Sequence, residues 1–123
     1  MSAQHPQKNK HHAAGNLLDG LPDSPEVAEI FQTLLLEANV CIERIISAGQ
    51  TSPPDFWYEE PRREWVMLVQ GRARLRFEDE PQPRTLSVGD YLYIAPYRRH
   101  RVEFTQANPA TVWLAIYIDN PAD

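Results

Sequence analysis

The sequence predicts one all-β domain, an antiparallel sandwich or barrel, on three observations. Strand-like runs recur at roughly ten-residue spacing, about eight in all, each bounded by Gly, Pro, Asn or Asp. These runs do not alternate with long helical patterns, which a parallel α/β sheet would need. The chain of 123 residues fits a single domain, and a hydrophobic content of 42% is enough for one core.

Taken in order, residues 1–15 are polar, carry His5, His11 and His12, and show no periodicity, so they read as a flexible tail ahead of a domain spanning 16–123. Asn16 to Leu21 reads as a short first strand. Residues 24–38 fit two patterns. Val27, Ile30, Phe31, Leu34 and Leu35 follow helical spacing, whereas Phe31, Thr33 and Leu35 fit one face of a strand. The balance is towards a helical turn packed as a hairpin against the next segment. A turn at Glu37-Ala38-Asn39 leads into a clear strand over 40–46. Pro53, Pro54 and Pro61 make 49–61 a loop.

Glu64 to Gln70 is nearly continuous in apolar residues, as in a strand covered on both faces, and Gly71 ends it. Residues 72–78 alternate strictly, with Ala73, Leu75 and Phe77 inward and Arg72, Arg74 and Arg76 on a solvated face. A turn spans 79–83, and Gly89-Asp90 makes another. Tyr91 to Ala95 forms a strand stopped by Pro96; Arg101 to Thr105 and Thr111 to Ile118 complete the set.

Composition bounds the function classes. A formal charge of −5 argues against a nucleic-acid partner, because phosphate binding depends on Lys and Arg. No apolar run reaches the roughly 20 residues that cross a bilayer, so no membrane partner is expected. The N-terminal MSAQHPQKNKHH lacks the apolar segment of a secretory signal, so a cytoplasmic protein is expected. Cys41 is the one cysteine, so an internal disulfide is ruled out; its apolar surroundings read as those of a buried structural thiol.

Two segments resemble the paired motifs of the cupin family. Glu64 and Gly71, in EWVMLVQG, have the Glu-to-Gly spacing of the first motif. GDYLYIAPYRRHRVEF carries Gly89, Pro96 and His100 as in the second. The resemblance covers 40–118 and implies an antiparallel double-stranded β-helix, the cupin or jelly-roll barrel, commonly as a homodimer. It also implies a metal held by two histidines and the Glu of the first motif plus the His of the second. Here the histidine places fall on Trp57 and Glu59, or on Tyr58 and Glu60 under the shorter spacing. Glu64 and His100 remain, and Glu59 or Glu60 can supply a third ligand. The expected metal residues are therefore Glu59, Glu64 and His100, for a weakly held divalent ion such as Zn, Mn, Fe or Ni.

The residues also speak without the resemblance. Glu64 opens a strand whose same-face neighbours are Val66 and Leu68, and a carboxylate there must be paired, ligated or wet. His100 leads into Val102 and Phe104 in the same way. Aromatic side chains at a barrel mouth make a small-molecule pocket, here assigned to Trp57, Tyr58, Tyr93 and Tyr117. The expected function is a cupin-type pocket protein that binds a small molecule, with or without a weakly held metal. The alternative is a metal-dependent isomerase, lyase or dioxygenase acting on a small polar metabolite through Glu64 and His100. The apolar outer positions beside Trp65 and Met67 point to a second subunit, hence a homodimer.

Overall fold

The computed structural model describes residues 14–23 and 28–119. Most of the expected tail, and the start of the 24–38 segment, lie outside the described residues. The eight strands are β1 (Ile30–Glu37), β2 (Val40–Ser47), β3 (Arg63–Gln70), β4 (Ala73–Phe77), β5 (Arg84–Leu86), β6 (Tyr91–Ile94), β7 (His100–Thr105) and β8 (Thr111–Ile118). They form a five-stranded sheet in the order β1-β2-β8-β3-β6 and a three-stranded sheet in the order β5-β4-β7, with every pairing antiparallel. This is the all-β barrel architecture that the strand rhythm predicts.

Side-chain alternation builds the core. Ala73, Leu75 and Phe77 of β4 are buried, as the strict alternation requires. They face Val66 and Leu68 of β3, Leu92 and Ile94 of β6, and Trp113, Ala115 and Tyr117 of β8 across the interior. Phe77 and Leu68 are fully buried. Burying two side chains of that size contributes several kcal/mol, at roughly 1.5–3 kcal/mol each.

Four expectations change. Residues 16–21 form a turn rather than a strand: the Asn16 side-chain oxygen accepts the Leu18 amide at 2.7 Å, and Gly20 has φ 67°. Asn and Gly at these places favour a local turn over a ladder. The Leu17 and Asp19 carbonyls of this turn accept from the Arg44 guanidinium at 3.0 and 2.6 Å, which seats the segment on β2.

The second change falls in 24–38, where residues 30–37 are a strand and not a helical turn. β1 pairs with β2 from Ile30↔Ile46 to Glu37↔Val40, and a register shift at Leu34 lets the two apolar patterns coexist. The hairpin expected between these segments is present. Third, residues 84–86 form a strand, β5, where none is expected, because three residues are too few to show a period. Fourth, β7 does not keep one face. A register shift opposite Arg74/Leu75 leaves Glu103 as an extra residue, so Phe104 leaves the face of His100 and Val102 and lies under Arg74, 4.9 Å from its guanidinium.

Gly71 closes the β3–β4 turn with φ 90°. A Cβ there would stand 2.9 Å from both the Cα and the hydroxyl of Thr111. Gly89 has φ 93° but open space around it. Gly71→Ala is therefore expected to lower stability by more than Gly89→Ala, which carries only the backbone strain of roughly 1–3 kcal/mol. Equal urea-denaturation losses for the two would show that the Thr111 contact does not constrain the turn.

Candidate functional site

Two polar side chains enter the barrel where their strands begin. Glu64 stands at the head of the inner face of β3, paired with Ile94 on one side and Tyr117 on the other. His100 opens β7 opposite Phe77 of β4. The proline-rich loop is laced onto β7 by hydrogen bonds. The Tyr58 amide donates to the His100 carbonyl at 2.8 Å, and the His100 amide returns to Tyr58 at 3.1 Å. The Ser52 amide reaches Val102 at 2.9 Å. This lacing stacks the Tyr58 ring on His100, with centroids 5.6 Å apart.

The geometry sets the tautomer of His100. Its Nδ1 lies 2.9 Å from the Arg98 carbonyl, an atom that only accepts, so Nδ1 carries the hydrogen. Burial pushes the His100 pKa down, which favours the neutral ring. Nε2 then presents a lone pair, and Glu64 Oε1 stands 3.9 Å from it. That gap is too long for a hydrogen bond, and an atom of a bound molecule lying beside the pair can bond to both groups at once.

Glu64 is pushed up to about 7, first by burial and then by the nearby Glu60 carboxylate; Arg62 and the Tyr117 hydroxyl pull it down. Burial also drives the Tyr117 hydroxyl far up, so it stays protonated. The Arg62 guanidinium lies 3.9 Å from the centre of the Tyr117 ring and 3.2 Å from Glu60 Oε1.

These groups border a hollow of about 110 Å³. Its polar lining is Glu29, Glu60, Arg62, Glu64 and His100, and its aromatic walls are Phe31, Tyr58, Trp113 and Tyr117. Val66, Leu75, Ile94 and Val102 are among the aliphatic residues that complete it. The volume is well below the roughly 300–1,000 Å³ of drug-sized ligand pockets, so it suits a molecule of a few heavy atoms.

Of the three residues expected as metal ligands, the structure brings Glu64 and His100 together and turns Glu59 away. Glu59 has a half-exposed side chain 4.0 Å from Arg99. The stretch through 58–60 alternates, so Tyr58 and Glu60 line the hollow and Glu59 does not. Among the described residues no group of three or more His, Cys, Asp or Glu is arranged to hold a metal ion. Glu60, the alternative third ligand, lines the hollow but is bonded to Arg62 at 3.2 Å. One imidazole with carboxylates engaged in this way does not fit a tightly held transition metal.

Of the expected pocket residues, Tyr58 and Tyr117 line the hollow, whereas Trp57 and Tyr93 do not. Trp57 sits outside, with the Arg101 guanidinium 5.9 Å from its ring. Tyr93 is 52% exposed, because Leu92 and Ile94 take the inward positions of β6 and put Tyr91 and Tyr93 on the outer face. Arg62 and Glu29 were missed. The sequence signal for Glu29 was an acid directly ahead of an apolar strand. Glu43 was missed too. It is 1% exposed on the inner face of β2, paired with Ala115, and its Oε1 has no hydrogen-bond partner. Its inward phase with Cys41 and Ile45 was legible from alternation alone.

The raised pKa of Glu64 has a defined effect on stability. Its folded pKa, about 7, exceeds the ordinary carboxylate value of 4.5. Its contribution is fully present below the unfolded value and is lost as pH rises towards 7, because the unfolded chain gives up the proton first. The stability of the native chain relative to Glu64→Gln should fall by on the order of 3 kcal/mol between pH 4.5 and 7. A constant difference across that range, measured by denaturant titration, would show that Glu64 is not desolvated.

A family model described as "Cupin domain" matches residues 43–117. A crystal structure from Ralstonia eutropha JMP134, of a protein provisionally named a mannose-6-phosphate isomerase, is 45% identical, with a TM-score of 0.85 over 89% of this chain and 100% of that one. A cupin superfamily protein from Desulfitobacterium hafniense is 19% identical, with a TM-score of 0.70 over 89% of this chain and 94% of that one. A conserved protein from Streptococcus pyogenes is 18% identical, with a TM-score of 0.70 over 93% and 94% of the two chains. Among curated proteins, none matches this chain. The sheet order, the placement of Glu64 beside His100 and a family match across more than half of the chain lead to one conclusion: the chain belongs to the cupin family.

Proposed function

We propose that this cupin binds a small molecule in the hollow between its sheets, with Glu64 and His100 as the polar anchor and without a tightly held transition metal. The observation that carries this reading is the 3.9 Å gap between Glu64 Oε1 and His100 Nε2 inside an aromatic-walled hollow. Glu64 bonds Tyr117 and not His100, so the Nε2 lone pair is open to a ligand or water atom placed beside the pair, within reach of both groups. Two protein ligands hold a divalent ion weakly, so any such ion exchanges readily.

A second reading has one observation in its favour. A carboxyl group near 7 beside a neutral imidazole suits proton transfer at neutral pH, so the pair can serve as general acid and base on the bound molecule. Fold alone does not choose between binding and catalysis.

We propose as well that the protein is a cytoplasmic homodimer. The outer face of the five-stranded sheet carries Trp65 stacked on Tyr91 at 5.4 Å, with Met67, Tyr93, Leu114 and Ile116 beside them. A continuous apolar face of this kind supports a homodimer. The unpaired Cys41 fits the reducing cytoplasm. No helix among the described residues is long and apolar enough to cross a membrane.

Elemental analysis of untagged protein tests the metal-independent reading. It should find iron, zinc, manganese and nickel far below one equivalent; near-stoichiometric metal that disappears in His100→Ala would overturn it. In thermal-shift screening against small polar metabolites, a hit should raise the melting temperature of the native chain but not of His100→Ala. A hit that shifts both equally binds elsewhere. Light scattering at micromolar concentration should give twice the chain mass, and the chain mass alone would remove the dimer.

A further inference from the structure

The charges around the hollow are unbalanced. Three carboxyl groups line it, on Glu29, Glu60 and Glu64, against one guanidinium, on Arg62. Arg62 is already engaged, hydrogen-bonded to Glu60 at 3.2 Å and laid over Tyr117. The hydrogen-bonding groups are unbalanced in the same sense. His100 is nine-tenths buried, and with Nδ1 bound to the Arg98 carbonyl its Nε2 offers only a lone pair. The donors left are the Tyr58 and Tyr117 hydroxyls, and Tyr117 already bonds Glu64 as Ser47 bonds Glu29. Acceptors outnumber free donors in the hollow, which favours a bound molecule that brings hydrogen atoms to donate.

The walls add a third constraint. Tyr58, Trp113, Tyr117 and Phe31 present ring surface, and the Arg62–Tyr117 contact shows a cation already resting on one of these rings. Ring faces attract cations and repel anions, most strongly where water is excluded. Val66, Leu75 and Ile94 offer an apolar bed for a short hydrocarbon part. Resting on the small-molecule reading above, we propose that the ligand is a small protonated amine, its ammonium beside Glu64 and His100 Nε2 and its hydrocarbon part on the apolar bed.

The same arrangement disfavours a phosphorylated sugar, the substrate class in the name of the Ralstonia eutropha protein. A phosphate group is bound by free Lys or Arg side chains or by converging N–H donors, and clustered carboxylates repel it. Here the single lining cation is held by a carboxylate, and two more carboxyl groups face the same space. An ammonium does the reverse, since a positive charge beside Glu64 favours its ionised form and offsets the cost of burial.

The test uses three probes of one shape: propylammonium, 1-propanol and propionate, with inorganic phosphate as a fourth. The readout on the full chain is the NMR shift of the Trp113 indole N–H, which bonds Ser47 and belongs to a ring on the wall of the hollow. Propylammonium should bind about tenfold or more tightly than propanol, and propionate and phosphate should leave the signal in place. Glu64→Gln should remove most of the ammonium's advantage and change propanol binding far less. Should that variant not fold, Glu60→Gln at the same wall should weaken ammonium binding in the same direction. Propionate or phosphate binding as well as the amine would overturn the proposal. Equal binding of propanol and propylammonium would remove the charge argument and leave the small-molecule reading standing. No shift with any probe at tens of millimolar would end both.

Discussion

The site depends on one constraint: a carboxyl group placed at the head of an apolar strand face cannot escape the interior. The position of Glu64 in β3 is set by the residues after it. Val66 and Leu68 must point inward to build the core, and a strand has only two faces, so Glu64 points inward with them. Moving it to solvent requires a one-residue slip that would expose Leu68, which has no exposure at all. The energy that holds the acid inside is thus the burial of its neighbours. The raised pKa is the electrostatic consequence.

His100 is held by a different device. Its ring is fixed at Nδ1 by the Arg98 carbonyl, at its backbone by Tyr58, and on one face by the stacked Tyr58 ring. A side chain restrained in this way presents Nε2 in one direction. The proline-rich loop therefore has a clear structural role: its hydrogen bonds to β7 close the mouth of the barrel and bring Tyr58 and Glu60 to its wall. Substituting that loop would disturb the hollow without touching the core formed by β3, β4 and β8.

Much of this was legible in the sequence where a strict period met an unbroken strand. The alternation in 73–77 assigned the inward residues, and the run from Gly89 through Pro96 to His100 located the second motif. The expectations that changed share a physical cause, which is irregularity of the ladder. A period cannot reveal the bulge at Glu103 that turns Phe104 outward, nor the shift at Leu34 that disguises β1 as a helical pattern. Tyr93 and Glu59 were misplaced by phase alone. In each case the adjacent residue, Ile94 or Glu60, holds the inward position. Arg62 escaped notice because its role lies in contacts across the chain, on Tyr117, which no local pattern encodes.

The account rests on Glu64 being desolvated inside the hollow and facing His100. A ¹³C NMR titration of the Glu64 side-chain carboxyl measures this directly. The account predicts a midpoint of about 7. A midpoint at the ordinary carboxylate value of 4.5 would mean that the group is hydrated, and the hollow would lose the anchor on which its chemistry depends.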